Sequence, residues 1–565
     1  MKRGYAMPFG AQICEDGVRF ALWAPGARDV ALELEGDQKT RSLQARSNGW
    51  WELTTTSARS GTRYRYVIDG TLRVPDPASR FAPEGVHGPS EVIDPYAFTW
   101  PDADWKGRAW ETAVLYELHI GAFTQSGTYD GVTERLDDLV ELGVTALEIM
   151  PLSAAPGARN WGYDGVAPYA PNCCYGRPDA LKNLVAQAHV RGLAVVLDVV
   201  YNHFGPEGNY LRTYAAPFFT DREHTPWGEA IDYEGRREVR EFVFHNAAYW
   251  LEEFGFDGLR LDAVHEIYDR SRPDLLEELA ARLEKKNKPY LIIETDETRS
   301  DRLAYCDAQW NQEAHHALHV LVTGEYDGYY AAYADRPAER LARALVESPP
   351  CNFVNFLQNH DQIGNRAFGE RISMLSAPHR VRAAAATVLL APAIPMLFMG
   401  EEWAASSPFF YFCDFEPALA PSVRDGRRHE FADFAAFADA NTRTRIPDPG
   451  DVETFKRSIL HWDEREQMPH REMLTLYREL LAVRAREIGP RLAGMTDGGR
   501  IVLARERSLS VRWFLGDGSE LILRANLDDN PCELPVVAGK TLFATHEHDA
   551  DHEIASPWSV SWRIR

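Results

Sequence analysis

Apolar and polar residues alternate over three short runs near the start of the chain: Val18, Phe20, Leu22; then Val30, Leu32, Leu34; then Tyr64, Tyr66, Ile68. A period of two is the signature of strands with one buried face. Gly17, Asn48-Gly49 and Asp69-Gly70 supply turns between them, which predicts a small antiparallel β-sandwich. Two readings stand for Trp50-Trp51: a sugar-stacking platform, or a packed pair with one ring in the core and one against the next domain. The proline-rich stretch from Pro75 to Arg80, followed by Pro83, Pro89 and Pro95, reads as a linker.

From Trp110 the pattern changes to strands alternating with helices. Ala113 to Leu118 predicts a first strand, and Val132, Leu136, Leu139 and Val140 recur at helical spacing until Gly143. Further strands are predicted at Ala146 to Met150, Ala194 to Val200, Gly258 to Leu261, Tyr290 to Glu294, Ala308 to Trp310, Phe353 to Leu357 and Pro395 to Met399. Eight strands, most followed by a helix, close most naturally into a (β/α)8 barrel. Its last helix is expected at His470 to Arg484, after which short alternating runs return from about Gly489. The expected fold class is α/β: an immunoglobulin-like sandwich over residues 1–96, a catalytic (β/α)8 barrel over 97–488 and an antiparallel β domain over 489–565.

A chain of 565 residues is too long for one core, and its formal net charge of -23 argues against nucleic acid and an anionic membrane as partners, since both need a basic face. No apolar run spans a bilayer and no signal core follows Met1, so cytoplasmic localisation is expected. The seven cysteines contain no Cys-x-x-Cys pair and predict buried, reduced thiols.

Charged residues collect at strand ends that should otherwise be apolar: Asp198, Asn202 and His203; Arg260, Asp262 and His265; Glu294; Asn359, His360 and Asp361. Asp262, with Arg260 on the same strand face to hold it ionised, reads as a nucleophile, or as a cap for the next helix. Several carboxylates without a cysteine or lysine nucleophile point to glycoside hydrolysis, in which one carboxylate attacks the sugar and a protonated one assists departure of the glycosidic oxygen.

Asp198-Val-Val-Tyr-Asn202-His203, Gly258 to His265, Ile293-Glu294 and Gln358 to Asp361 resemble, in order, the four motifs of the α-amylase superfamily of glycoside hydrolases. The resemblance implies that Asp262 is the nucleophile, Glu294 the general acid/base and Asp361 the transition-state stabiliser, and that Asp198, His203, Arg260 and His360 hold the sugar or its nucleophile. It also implies retention of anomeric configuration, with the two working carboxyls about 5 to 5.5 Å apart. A narrower resemblance, to the maltooligosyltrehalose trehalohydrolase family, covers nearly the whole chain. It rests on Tyr116 to Phe123, Trp161 to Gly165, Tyr201 to Tyr210, Phe219-Thr to Pro226-Trp227-Gly228, Ala308 to Asn311 with His315-His316, and Phe398 to Trp403. This implies cleavage of the α-1,4 bond next to a terminal trehalose, with maltooligosyltrehalose or a related α-glucan as ligand and, as pathway neighbour, the synthase that isomerises the reducing end.

Tyr163 is expected to stack on the sugar, with Trp161 beside it, and the expected substrate contacts also take in His265, Asn359, Gln362 and Asn365. His315 and His316 either bind sugar hydroxyls or pack the start of a helix. With His319 they invite a metal site, but the spacing lacks a glutamate and a third ligand, so neither metal nor cofactor is expected. Where the family places alanine before the acid this chain has Ile293, which leaves Asp296 or Glu297 as alternatives to Glu294. Glycogen branching and isoamylase-type debranching enzymes share the layout and remain alternative functions, as does, in a different class, an inactive α-glucan-binding protein.

Overall fold

The computed structural model describes residues 2–565 apart from 103, 285–287, 296–301, 347–348, 433, 438, 547–548 and 550. Its centre is a closed barrel of eight parallel strands: β1 Leu115–Leu118, β2 Ala146–Ile149, β3 Ala194–Val199, β4 Gly258–Leu261, β5 Tyr290–Ile293, β6 Ala308–Trp310, β7 Phe353–Phe356 and β8 Ile394–Phe398. Each pairs with the next and β8 returns to β1, so no edge is left exposed. Helices α1 Leu136–Leu142, α2 Pro178–Val190, α3 Arg237–Glu253, α4 Leu275–Glu284, α5 Gln312–Thr323, α6 Pro337–Val346, α7 Pro378–Leu389 and α8 His470–Val483 surround it. Gly143 ends α1 in the left-handed region, at φ +104°, which glycine reaches without strain. Between β5 and β6 the described residues hold only a 3-10 turn, Arg302–Ala304.

The barrel interior follows from strand alternation. Leu115, Ala146, Val196, Ile292, Trp310, Val354, Phe356 and Met396 form its apolar floor. Two residues further on, and therefore on the same inward face, stand Glu117, Glu148, Asp198 and Glu294. One step along each strand turns an apolar floor into a charged layer. Ile293 points the other way, into the core outside the barrel. Its bulk therefore does not bear on the glutamate after it.

The N-terminal strands form two antiparallel sheets, one built on Gly10–Cys14, Gly17–Trp23 and Trp50–Thr55, the other on Val30–Leu34, Arg63–Ile68 and Leu72–Val74. Trp50 tilts against Phe9 at 4.8 Å, and the Trp51 indole donates to the Ala24 carbonyl. Both rings are half-buried packing groups. The stretch read as a linker is buried: Asp76, Ser79 and Arg80 lie inside. Arg80 bonds Glu253 of α3 at 3.2 Å and the carbonyls of Tyr5 and Ala11 at 2.7 Å, while Lys182 of α2 reaches Glu253 at 3.5 Å. A buried guanidinium with this many acceptors locks the sandwich to the barrel.

At the other end, Arg500–Arg505, Ser508–Phe514, Glu520–Asn526, Ser559–Ile564 and Lys540–Ala544 make a five-stranded antiparallel sheet. The Trp562 indole donates to the Ala386 carbonyl of α7 and the Trp513 indole to that of Leu345 in α6. All seven cysteines are free thiols, but Cys14 and Cys174 are exposed, against the expectation of burial. Among the described residues no helix is long and apolar enough to cross a membrane.

Candidate active site

Arg260 is the hub of the charged layer. Fully buried on β4, it donates Nη1 to Asp198 and to Asp262, each at 2.8 Å, and its Nη2 forms an ion pair with Glu294, 2.8 Å from the carboxylate oxygen. The plane of its guanidinium lies over the Trp310 ring, 4.0 Å from the centroid. Asp262 also accepts from Asn202 Nδ2 at 2.8 Å, and Glu294 accepts from the backbone amide of Ala263 at 3.0 Å. Ala263 itself is held at φ +37°. That strained turn brings the residues after β4 back under Glu294.

A second chain of bonds descends from the segment after β7. His360 Nδ1 meets Glu117 Oε1 at 2.5 Å, its backbone amide donates to Glu117 Oε2 at 3.0 Å, and its Nε2 lies 3.3 Å from Asp361 Oδ1. Tyr163 stacks on this imidazole and donates its hydroxyl to Asp198 Oδ2 at 2.6 Å. His203 holds the Tyr163 carbonyl through Nε2 at 2.9 Å and is covered by the Trp227 ring, stacked at 3.7 Å.

These contacts separate the carboxyls electrostatically. Burial pushes Glu294 up to about 8 against the pull of Arg260, helped by the nearby charges of Asp262 and Asp361. Asp361 is also penalised by burial, yet the imidazole of His360, then Arg260 and Asn365, hold it below its usual value. His360 is raised despite burial because Asp361 and Glu117 flank it, whereas burial lowers His203 to about 4. Asp198 is raised to about 6 by burial, with Arg260 opposing. The arrangement offers one carboxylic acid that keeps its proton near neutrality beside carboxylates that accept strong donors, the division of labour acid–base chemistry requires.

Glu294 and Asp361 open onto a cleft of about 1080 Å³ that also takes in Gln312, His316, Gln362, Asn365 and Arg366. Tyr326, Tyr329, Tyr330 and Tyr333 line it, as do Phe431, Phe434 and Phe437, with Phe434 packed against Gly328 of the tyrosine segment. The structure thus brings Asp198, Arg260, Asp262, Glu294, His360 and Asp361 together with Tyr163 and His203 against them. Asp296 and Glu297 lie outside the described residues.

Three expected sugar contacts are placed elsewhere. Trp161 is only 4% exposed, stacked on Phe409 with its indole bonded to the Phe410 carbonyl, so it backs His360 from behind. Asn359 is fully buried and its side-chain oxygen caps the helix His360–Gly364 by accepting from the Gln362 amide. His315 is buried and stacked on Phe356, while its neighbour His316 faces the cleft. His265 sits on the 3-10 turn Val264–Glu266, three residues beyond Asp262. His319 bonds Glu325 at 2.8 Å and stacks on Tyr330, so the three imidazoles of α5 run along an aromatic stack and do not converge on a point. Among the described residues the donors that do converge are His87, Glu207 and Glu416, within 4.8 Å of one another and apart from the cleft.

Sequence reasoning did not single out Glu117, Glu148 or Trp310 as parts of the site. The available signal was a lone glutamate in each of two apolar strands, Leu-Tyr-Glu-Leu and Ala-Leu-Glu-Ile.

Three family models match: the alpha amylase catalytic domain over residues 95–230, carbohydrate-binding module 48 (isoamylase N-terminal domain) over 8–97, and a domain of unknown function, DUF3459, over 496–562. The chain is 43% identical to a malto-oligosyltrehalose trehalohydrolase of Deinococcus radiodurans, over 83% of this chain and 81% of the relative. It is 41% identical to that of Saccharolobus solfataricus over 85% and 87%, and 38% identical to that of Mycobacterium tuberculosis over 93% and 95%. A crystal structure of a Salmonella typhimurium protein provisionally named an alpha amylase superposes with a TM-score of 0.93 at 40% identity, over 99% of this chain and 100% of that one. With a charged barrel mouth of this geometry and relatives this similar along most of its length, the chain belongs to the malto-oligosyltrehalose trehalohydrolase family.

Proposed function

We propose that this chain is a retaining glycoside hydrolase that cleaves the α-1,4-glucosidic bond next to the terminal trehalose of maltooligosyltrehalose and releases trehalose. The observation that carries the reading is the shared guanidinium: Asp262 and Glu294 sit on the two terminal nitrogens of Arg260, and Glu294 opens onto the same cleft as Asp361.

In this mechanism Asp262, supplied with donors by Arg260 and Asn202, attacks the anomeric carbon. Glu294, still protonated near neutral pH, gives its proton to the departing glycosidic oxygen and then, as carboxylate, takes one from the water that resolves the glycosyl ester. Asp361 strengthens its hydrogen bonds to the ring hydroxyls as charge develops on the sugar, which is binding spent on the transition state. Tyr163, aligned by Asp198 and His360, is the stacking surface for that ring. The reaction would work in the cytoplasm, downstream of a synthase that isomerises the reducing end of a maltooligosaccharide to a trehalose unit.

The test is to give the protein one defined tetrasaccharide ending in trehalose and separate the products. Free trehalose is expected, with retained configuration at the new reducing end. New α-1,6 branches would assign a branching enzyme instead, and an unchanged substrate would sink the proposal.

A further inference from the structure

One charge in the barrel has no part in the chemistry above. Glu148, two residues beyond Ala146 on the inward face of β2, pairs in register with Glu117 on β1 and Val196 on β3. It is buried, and neither of its carboxyl oxygens meets a donor among the described residues. Glu117, in the same layer, is fully engaged by the amide and ring of His360. The charged groups facing Glu148 from the surrounding elements are Glu117 on β1, Arg260 on β4, Asp198 on β3 and His360 after β7. Both cations are already committed, Arg260 to three carboxylates and His360 to two.

A buried carboxylate with no donor is costly, and the usual escape is to keep its proton. Burial does push this carboxyl well above the ordinary range, and Glu117 adds to the effect. A retained proton then needs an acceptor. Asp198 has one to offer: its Oδ2 takes Arg260 and Tyr163, but its Oδ1 is buried and meets no donor among the described residues. One proton satisfies both groups. The two carboxyls are not directly bonded to each other, and the simplest group that both accepts from one and donates to the other is a single water.

We propose that Glu148 is a positioning residue, a neutral carboxylic acid that passes a hydrogen bond through one water to Oδ1 of Asp198 and so keeps Asp198 ionised on Arg260 and Tyr163. Arg260 in turn holds Asp262 and Glu294. The role rests on the reading of the site given above, but the state of Glu148 does not.

The test compares Glu148→Leu, which removes the donor, with Glu148→Gln, which is neutral and restores an N–H donor of nearly the same shape. Glu148→Leu should lower kcat about 10- to 100-fold with KM changed little, as for loss of a supporting hydrogen bond behind a working group. It should also move the acid limb of the pH profile upward, because an unsupported Asp198 takes a proton more readily. Glu148→Gln should recover activity to within about threefold of wild type, the behaviour of a variant that restores the lost hydrogen bond. Infrared difference spectra at neutral pH should show a protonated-carboxyl C=O band that Glu148→Gln loses and Glu294→Gln retains. This arm needs no substrate, so it decides the protonation state even if the trehalose reading fails or Glu148→Leu does not fold. A Glu148→Gln protein as slow as Glu148→Leu, an unmoved acid limb in Glu148→Leu, or no such band would overturn the proposal.

Discussion

Arg260 touches three carboxylates at once, so a change at any of them redistributes charge to the others. Asp262→Asn keeps the shape but removes the nucleophile, and should lower kcat by several powers of ten without altering the melting temperature by more than a few degrees. An Asp262→Asn protein with measurable wild-type turnover would refute its role. Glu294 must be protonated to work, and its value of about 8 sets the alkaline edge: kcat/KM should fall roughly tenfold per unit above that pH, while the acid limb belongs to the carboxylates that must stay ionised, Asp198 at about 6 among them. A profile that declines already near pH 5 would assign the proton to another group. Glu294→Gln should cost far more on trehalosyl leaving groups than on activated aryl glycosides, which leave unaided; equal losses would count against it as the acid. At this scale the sequence was legible where a motif names the residue, as at Asp262 and Glu294. It was not legible for Glu117 and Glu148, because one glutamate in a four-residue strand looks the same whether it faces the barrel interior or the helix layer. His315 and His316 pose the same difficulty on a helix: adjacent residues point about 100° apart, as 3.6 residues per turn requires, and only packing says which meets the cleft.

The elements that carry the site are short, and their ends do the positioning. The helix His360–Gly364 is a single turn, capped by Asn359 and pressed against Trp161: a Cβ on Gly364 would lie 2.0 Å from the indole. Gly364→Ala should therefore push Trp161 from its place behind His360 and Tyr163, destabilise the protein by about 1–3 kcal/mol as overpacking does, and reduce kcat/KM. A thermal melt and an assay on the same sample check it, and wild-type values in both would show that the turn can yield. Periodicity anticipated the barrel strands to within a residue or two at each end, since a buried parallel strand is a brief apolar run bounded by turns. β6 was the faintest because it has only three residues, and its helical partner after β5 is a 3-10 turn among the described residues. The proline-rich stretch misled for a different reason. Prolines report a chain that cannot form helix or ladder, and they say nothing about whether it is buried.

Across the whole molecule, one apolar cluster runs without a break from Tyr5 in the sandwich through the barrel's outer layer to Ile564 in the C-terminal sheet. Heat should accordingly produce a single calorimetric transition, and two resolved peaks would contradict a shared core. Arg80 is the polar counterpart of that core, with Glu253, Tyr5 and Ala11 as acceptors. Arg80→Ala leaves the Glu253 charge inside with fewer donors and should cost about 3–5 kcal/mol, read from chemical denaturation; replacing both partners by apolar residues of similar size should cost less. For anyone trimming the gene, this fastening has a practical meaning. A product beginning at the barrel would carry naked glutamate and lysine on an otherwise oily patch, and it should clump during expression. The sandwich is better regarded as the barrel's missing wall than as a detachable accessory.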